Sequence, residues 1–480
     1  MFALLGACAP EPASIAPRFE LVDVVTPMVA ALEAALPPEQ PAPEPAGDTR
    51  ELVLGALATI SSRDARMRAA ATEDVRAQGD TAVSVLALAI ADATLSREER
   101  AAAIDALASV GTRRAAEALT IALEKGSEPW IRARSAWRLA DVRHDGVLLR
   151  LLLRLRYEVD AETVIWLAAT VARHGNYSGL DGLRTLRTSA ATEELRASAA
   201  QQLDELAKLA GAADPERLHE EWLSGALDAR VQKDAPSPEL ELAVWRAIAG
   251  LAAWDLRGVD DRRFQLSRMN TWVVPLLART LHDSNVYVRV HAAQCLERMG
   301  TRGASAGPEL VAALGEPRVA ASAAAALAAV RWLDAVPALE TALATSQDLE
   351  LRTAIARALG SLGQARSASV LVQAFAESEP IDLRQAAAEA LVAVRDDEVA
   401  VRFLHECLTS GKADAGAAEN VLGAWLKRRA ASLDPTLADA STRWSALDPA
   451  PDTIATSEQA LQRQRARSDI LSEVLAAKAR

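Results

Sequence analysis

One pattern of small, apolar and polar positions recurs along the chain. An arginine is followed by small residues three and four positions later, a branched aliphatic residue seven later, and often glycine eleven later. The first residues of this pattern, which we call anchors, are spaced 32 residues apart at Arg68, Arg100, Arg132, Val164 and Arg196. Further anchors are Arg289, Ala320, Arg352 and Arg384, with a weaker copy at Ala415. A period of this length predicts a repeat architecture.

Each copy of the pattern predicts a pair of helices. Positions −1, +3, +4 and +7 from the anchor lie on one face of a helix. Residues that favour helix N-caps stand four positions before the anchors, at Asp64, Ser96, Asp160, Thr192, Asn285 and Asp348. Glu128 and Glu316 take the same position, and Gly79, Gly111, Gly175, Gly300 and Gly363 are predicted to end the helices. A second apolar helix completes each unit, and neither helix buries its face alone, so the units must stack.

Three segments carry a resemblance to a known family: "DLELRTAIARALGSLG", "SNVYVRVHAAQCLERMG" and "IDLRQAAAEALVAV". They resemble HEAT repeats of the short variety named after phycobilisome lyases, and the resemblance extends over residues 50–430. It implies an all-α fold, an α-solenoid in which antiparallel helix pairs of about 31–32 residues stack into a superhelix. It also implies that second helices line the concave face and that anchor arginines pair with an acid of an adjacent repeat.

The pattern divides the chain into five segments. Residues 1–49 are a leader and proline-rich tether whose one short helix docks on the first repeat, and residues 50–225 are an amino-terminal array. Residues 226–275 are degraded repeats with loop insertions, residues 276–432 are a carboxyl-terminal array, and residues 433–480 are a loop and a polar helix. Within the third segment, residues 228–242 and 258–270 are expected to be irregular because they are polar or proline-punctuated.

Composition narrows the classes of function. The 480 residues carry 53 Lys and Arg against 65 Asp and Glu, a net charge of −12, which argues against general nucleic-acid binding. The longest uncharged apolar stretch, Val319 to Val330, is too short for a transmembrane helix, so contact with a membrane is expected only through a lipid anchor. Half of the residues are hydrophobic but only 4% are aromatic, as close helix stacking requires.

The charges of the second helices suggest a partner-binding groove. Arginines predominate in the first half and glutamates in the second, so a concave face of second helices would be basic at one end and acidic at the other. Such a groove would orient a protein partner, and Arg150, Arg154, Arg184 and Arg187 are the candidate contacts. The other interpretation is that Arg150 and Arg154 only lie along an apolar helix.

Tryptophans gather near the interruption of the repeats. Seven of the ten lie between Trp130 and Trp272, and the candidate contacts among them are Trp222, Trp245, Trp254 and Trp272. Tryptophan is enriched in binding hot spots. Large rings could equally fill the gaps that irregular repeats leave.

The amino terminus resembles a bacterial lipoprotein signal at Leu5-Gly6-Ala7-Cys8. The resemblance implies an acylated Cys8 and a cell-envelope location. The pattern departs from that signal because seven residues precede Cys8 and none is basic. Either the start lies upstream, or the resemblance is accidental and the protein is cytoplasmic.

No catalytic constellation stands out in the sequence. The six histidines lack metal-site spacing, and the three cysteines cannot form a disulfide framework; Cys295 and Cys407 are expected to be buried thiols. We therefore expect a non-enzymatic scaffold that binds protein partners, with no cofactor and no metal. The alternative is a HEAT-repeat enzyme like the chromophore lyases or isomerases, with the tryptophan-rich break as its pigment pocket.

Overall fold

The computed structural model describes residues 21–37, 43–45, 47–62, 64–142, 144–231, 235–377, 381–394, 435–447 and 457–478, with the single residues 405 and 423. Backbone contacts divide the chain into two compact units. The amino-terminal unit is Asp23–Gly303, and the carboxyl-terminal unit is Ala304–Arg480 with Met1–Val22. Three of the predictions fall outside the described residues: the weaker repeat copy at Ala415, the buried thiol at Cys407 and the acylation of Cys8.

The amino-terminal unit is built from helices joined by short turns. Its α-helices are α1 Val25–Ala35, α2 Gly47–Ile60, α3 Ala65–Ala77, α4 Asp80–Ala91, α5 Arg97–Val110, α6 Arg113–Lys125, α7 Pro129–Leu139, α8 Leu148–Tyr157, α9 Ala161–Arg173, α10 Leu180–Ser189, α11 Glu193–Ala210, α12 Pro215–Ser224, α13 Ala226–Val231, α14 Pro238–Ala249, α15 Leu256–Arg268, α16 Val274–Thr280 and α17 Val286–Met299. Single 3-10 turns are Asp145–Val147, Gly250–Ala252 and Thr271–Val273, and a longer 3-10 segment is Gly300–Ala306.

The carboxyl-terminal unit has the same construction. Its described helices are α18 Gly307–Ala313, α19 Ala320–Ala329, α20 Val336–Thr345, α21 Leu349–Leu362, α22 Ala368–Glu377, α23 Ile381–Ala393, α24 Pro435–Ser445 and α25 Ser457–Lys478. The 3-10 turns Leu333–Ala335 and Ala365–Ser367 precede α20 and α22. The polar helix α25 packs on α24, where Trp444 is buried beneath the Arg467 guanidinium.

The repeat pattern and the helix boundaries agree closely. Side chains of the predicted N-caps accept hydrogen bonds from the first turn at Asp64, Ser96, Asp160, Thr192, Asn285 and Asp348. All five predicted glycines have positive φ angles, and Gly111 ends α5 in the left-handed region with φ of 68°. These features are confirmed because they depend on local backbone chemistry.

The predicted N-cap at Glu316 is wrong. The backbone N–H groups of Val319 and Ala320 both donate to the Glu316 carbonyl at 2.9 Å, which makes a turn before the helix. Helix α19 therefore begins one turn later than predicted, at Ala320.

The helix pairs of each unit stack on one another through their apolar faces. In the amino-terminal unit the first helices α3, α5, α7, α9 and α11 contact one another in order. The second helices α4, α6, α8 and α10 each pack on the first helix that follows. Helices α19, α21 and α23 do the same in the carboxyl-terminal unit. A Cβ on Gly360 of α21 would lie 2.6 Å from Ala390 Cα of α23, so glycine permits this close approach. Each unit is thus stacked as an α-solenoid.

Anchor arginines tie successive repeats together. The guanidinium Nη1 of Arg68, Arg132, Arg196 and Arg289 donates to the carbonyl six residues earlier at 2.7–3.0 Å. Arg100 and Arg132 also pair with acids at the start of the next repeat, Glu128 at 2.7 Å and Glu158 at 3.0 Å. The pairing that the resemblance implied is confirmed for these two anchors.

The interruption of the repeats is more regular than predicted. Residues 258–268, expected to be irregular, belong to helix α15, which Asp255 caps by accepting from the backbone of Gly258. Residues 228–242 include the end of α13 and the start of α14. Asp260 and Asp261, which lie in the stretch expected to be irregular, form ion pairs with Arg156 of α8.

Helix α1 does not dock on the first repeat. It packs on α14, where Glu33 pairs with Arg246 at 2.7 Å. The Asp283 carboxylate accepts from the backbone N–H of Val24 at 3.0 Å and of Val25 at 3.2 Å. The free backbone N–H groups at the start of α1 therefore donate to a side chain that is distant in sequence. A local sequence pattern cannot predict such a contact.

Candidate functional site

The four candidate arginines lie on two second helices and have partners within the chain. Arg150 on α8 donates to both carboxylate oxygens of Glu124 on α6, at 2.9 and 2.6 Å. Arg187 on α10 pairs with Glu216 on α12 at 2.8 Å. The Glu124 hydrogen bonds raise the pKa of Arg150 despite its partial burial, and Arg187 lowers the pKa of Glu216. These pairs bridge successive second helices, whose outer surface in residues 80–224 we call the second-helix face.

Arg154 belongs to a buried cluster. It donates to Glu158 at 3.0 and 2.5 Å, and Arg132 of α7 donates to the same carboxylate at 3.0 Å. Burial by itself would raise the pKa of Glu158. Hydrogen bonds from Arg132, the Asp160 backbone and Arg154 outweigh burial and lower that pKa to about 2. The carboxylate is therefore ionised across the physiological range.

Arg184 is part of a hydrogen-bond network that joins α10 to α12. Its Nη1 lies 2.6 Å from His219 Nδ1, and His219 Nε2 lies 2.8 Å from the Asp181 carboxylate. An arginine can only donate, so the imidazole accepts at Nδ1 and donates from Nε2. Arg268 of α15 pairs with the same Asp181 at 3.2 Å, which links this hydrogen-bond network to a third helix.

Helix α15 is held against the second-helix face. Arg156 of α8 pairs with Asp260 at 2.5 Å and Asp261 at 3.1 Å, and Gln265 donates to the Leu149 carbonyl at 2.8 Å. Hydrogen bonds from Arg156 and Arg298 hold the pKa of Asp260 well below its usual range. Sequence reasoning missed Arg156 and Asp260 as a pair, since they are 104 residues apart.

A cleft remains open beside α15. It encloses about 410 Å³ between α8, the start of α9, α10 and α15. Its apolar lining includes Leu152, Leu155, Val164, Leu186 and Phe264, and its polar lining includes Asp181, Thr185 and Arg268. Val159, also in the lining, is 92% exposed. The cleft can accept an apolar side chain while its rim offers hydrogen-bond donors and acceptors.

The candidate tryptophans do not form one site. Trp222 and Trp245 are buried in the core, and Trp222 packs under the guanidinium groups of Arg268 and Arg302. Trp272 is half-buried. Trp254 is 87% exposed and its ring lies 5.7 Å from that of Tyr287. The burial of Trp222 and Trp245 is what the gap-filling interpretation expects, whereas a binding role for Trp254 stays a prediction.

Beneath α15, a buried ion pair fixes the adjoining turns. Arg302 and Asp228 are 3.5 Å apart with 4% and 2% of their side chains exposed. Arg302 also donates to the Met269 carbonyl, and Asp228 accepts from the Thr271 backbone at 2.7 Å. Burial raises the pKa of Asp228 and lowers the pKa of Arg302.

Other candidate chemistry is sparse in the described part of the chain. Cys295 is fully buried, which raises its pKa to about 12, so the expectation of a buried thiol is confirmed there. Within the described ranges, no group of three His, Cys, Asp or Glu residues could hold a metal ion. None of the described helices is both long and apolar enough to span a bilayer.

Comparison with known proteins adds a family match. Residues 307–392 match the family model for HEAT repeats, and no curated protein matches the chain. Human deoxyhypusine hydroxylase in complex with glycerol is 18% identical, with 66% of this chain and 97% of that chain covered and a TM-score of 0.22. Kap95p, from a structure with RanGDP, is 13% identical over 90% of this chain and 67% of that one, with a TM-score of 0.31. Importin beta is 14% identical over 94% and 66%, with a TM-score of 0.29.

The family match and the helix spacing point the same way. First helices begin at Ala65, Arg97, Pro129, Ala161 and Glu193, each 32 residues after the one before. The stretch that matches the family model has the same helix-pair construction. Residues 307–392 thus match HEAT repeats, and the described helices of each unit are paired and stacked as an α-solenoid.

Proposed function

We propose that this protein is a non-enzymatic scaffold that binds a protein partner on the second-helix face of its amino-terminal unit. One observation carries the proposal: this face already holds a helix, α15, through the Arg156, Gln265 and Arg268 contacts, and an apolar cleft stays open beside it. A surface that binds one helix by packing and ion pairs can bind another in the same way.

The cleft, rather than the arginines, is the proposed centre of recognition. Arg150, Arg154 and Arg187 each lie within 3 Å of a carboxylate, so their charge is largely neutralised. A partner that used them would have to displace Glu124, Glu158 or Glu216. An apolar anchor that enters the cleft displaces only water, and desolvated pockets are where binding energy concentrates.

The test compares two substitutions on the same helix. Thr185 is exposed and lines the cleft, whereas Thr188 is exposed on α10 away from it. A photoreactive amino acid at Val159, on the exposed rim, would crosslink and identify the partner. With that partner purified, Thr185→Trp should fill the cleft and weaken binding at least about tenfold. Thr188→Trp should leave affinity unchanged.

Equal affinity of the wild type and Thr185→Trp would show that the cleft is not used. Circular dichroism melting of both variants serves as the folding control, since each replaces a surface side chain.

We further propose that the scaffold is attached to the cell envelope through an acylated Cys8. The lipoprotein-like Leu5–Cys8 segment supports this proposal. Mass spectrometry of the amino terminus of protein made in its own host tests it. An acylated Cys8 is the expected result, and a free Met1 would contradict it.

A further inference from the structure

An exposed aromatic cluster lies where the chain enters the amino-terminal unit. Trp254 is 87% exposed, Leu256 is 82% exposed and Tyr287 is 50% exposed. The Trp254 and Tyr287 rings are in contact, with centroids 5.7 Å apart. Single exposed apolar residues are ordinary, whereas adjacent ones mark an interaction surface. We call Trp254, Leu256 and Tyr287 the aromatic patch.

The patch is connected to the amino-terminal segment by one carboxylate. Oxygen Oδ2 of Asp283 accepts from the backbone N–H of Val24 and Val25, where the segment enters the unit. Oxygen Oδ1 accepts from Asn285 at 2.8 Å, and the Asn285 side chain caps the backbone of Tyr287 at 3.0 Å. The start of α1 and the aromatic patch are therefore held next to each other.

The chemistry of the patch suits a bilayer interface. Tryptophan and tyrosine concentrate at the headgroup level, because their rings are apolar and their polar atoms stay hydrated. Trp254 lies in the short segment between the 3-10 turn Gly250–Ala252 and α15 and is largely exposed, so its ring can insert into the headgroup region of a bilayer. Arg257 is exposed on the first turn of α15, where its cation can meet lipid phosphates.

The chain between Cys8 and Asp23 is short enough to keep the aromatic patch near a membrane that holds an acylated Cys8. Asp23 follows Cys8 by fifteen positions, a span of at most about 50 Å when extended. An anchor at Cys8 would keep Asp283 and the neighbouring patch within that distance of the membrane. Peripheral membrane attachment commonly combines a lipid with a second contact.

We propose that the aromatic patch is a membrane-docking surface that rests on a phospholipid bilayer and orients the scaffold. The inference rests on the proposed envelope attachment through Cys8. It names a second contact that acts together with the lipid and that can be measured without it.

Vesicle binding of the full chain carrying Cys8→Ser isolates the contribution of the patch. This protein is expected to sediment with vesicles of phosphatidylethanolamine and phosphatidylglycerol. The added pair Trp254→Ser and Leu256→Ser should lower the partition coefficient about tenfold or more, because about 1.4 kcal/mol of apolar transfer corresponds to that factor. Leu88→Ser is the matched control, since Leu88 is 70% exposed on α4, and it should bind like the Cys8→Ser parent.

Either of two vesicle results would overturn the proposal: the Cys8→Ser chain does not bind vesicles, or the patch variant binds them as well as that parent does. If the patch variant keeps its vesicle binding but loses affinity for the protein partner found by crosslinking, the patch is a protein hot spot instead. A free Met1 in the native protein would remove the lipid anchor alone, since the vesicle assay does not depend on acylation.

Discussion

Arg331 takes, with φ of 58°, the repeat position that Gly363 takes 32 residues later with φ of 63°. Both residues follow their anchors, Ala320 and Arg352, by eleven positions. The Trp332 backbone N–H closes the end of α19 on the Leu327 carbonyl at 3.1 Å, so the turn requires the left-handed conformation. A side chain in this region is strained, and Arg331 is the only described residue other than glycine with a positive φ.

Replacing Arg331 by glycine should stabilise the carboxyl-terminal unit. Relief of the left-handed strain favours glycine by about 1–2 kcal/mol, and the greater freedom of glycine in the unfolded chain offsets part of this. We expect the free energy of unfolding to rise by up to about 1 kcal/mol in urea denaturation. The reverse change, Gly363→Arg, should lower it by a similar amount. A destabilised Arg331→Gly would mean that the arginine side chain makes a compensating contact.

Stability should fall in acid because of Glu158. Its folded pKa of about 2 lies below the ordinary glutamate value of 4.5, so the ionised carboxylate stabilises the fold above pH 4.5. This contribution, up to about 3 kcal/mol from the size of the shift, is lost as the pH falls from 4.5 to 2. Urea unfolding across this range should show a shallower pH dependence for Glu158→Gln than for the wild type. Glu193→Gln is the control, since Glu193 is 79% exposed in its pair with Arg196; parallel curves for Glu158→Gln and wild type would contradict the prediction.

Removal of one member of the buried pair Arg302–Asp228 should be costly. Arg302→Met leaves the Asp228 carboxylate buried without its guanidinium and should lower the free energy of unfolding by about 3 kcal/mol or more. The double variant Arg302→Met with Asp228→Asn should recover part of the loss, because no buried charge remains. A double-mutant cycle by denaturation measures the coupling, and additive losses would indicate that the two side chains act independently.

Two glycine-to-alanine changes should have opposite effects. At Gly360 the new Cβ would meet the Ala390 backbone at 2.6 Å and force α21 and α23 apart, which should cost about 1–3 kcal/mol. At Gly55 in α2 nothing lies within 4 Å of the new Cβ, so alanine should stabilise the helix by up to about 1 kcal/mol. Thermal melting of the two variants checks both signs. A Gly360→Ala variant as stable as wild type would show that the helices separate at little cost.

The sequence predicts features that local chemistry determines. Asp64 and Ser96 could be assigned as N-caps, and Gly111 as the end of a helix, because each acts within four or five residues of its own position. Arg331 shows the limit of this reasoning, since the repeat geometry persists there although the residue that suits it is absent.

The candidate site was predictable only in part. Arg154 and Glu158 are four residues apart, and such a spacing indicates a pair on one helix face. The contacts that place α15 on α8 join Arg156 to Asp260, and no periodicity relates residues 104 positions apart. The same reason explains why α1 was assigned to the first repeat although it docks on α14.

The hydrogen bonds from Val24 and Val25 to Asp283 also set an order of events during synthesis. The donor and acceptor at Val24 are 259 residues apart. At about 5–20 residues per second, helix α1 leaves the ribosome roughly 13–50 s before its binding site exists. Through most of that interval, until α14 has been synthesised, the apolar surface of α1 has no native partner, so the nascent chain offers chaperones and targeting factors a defined window in which to bind it.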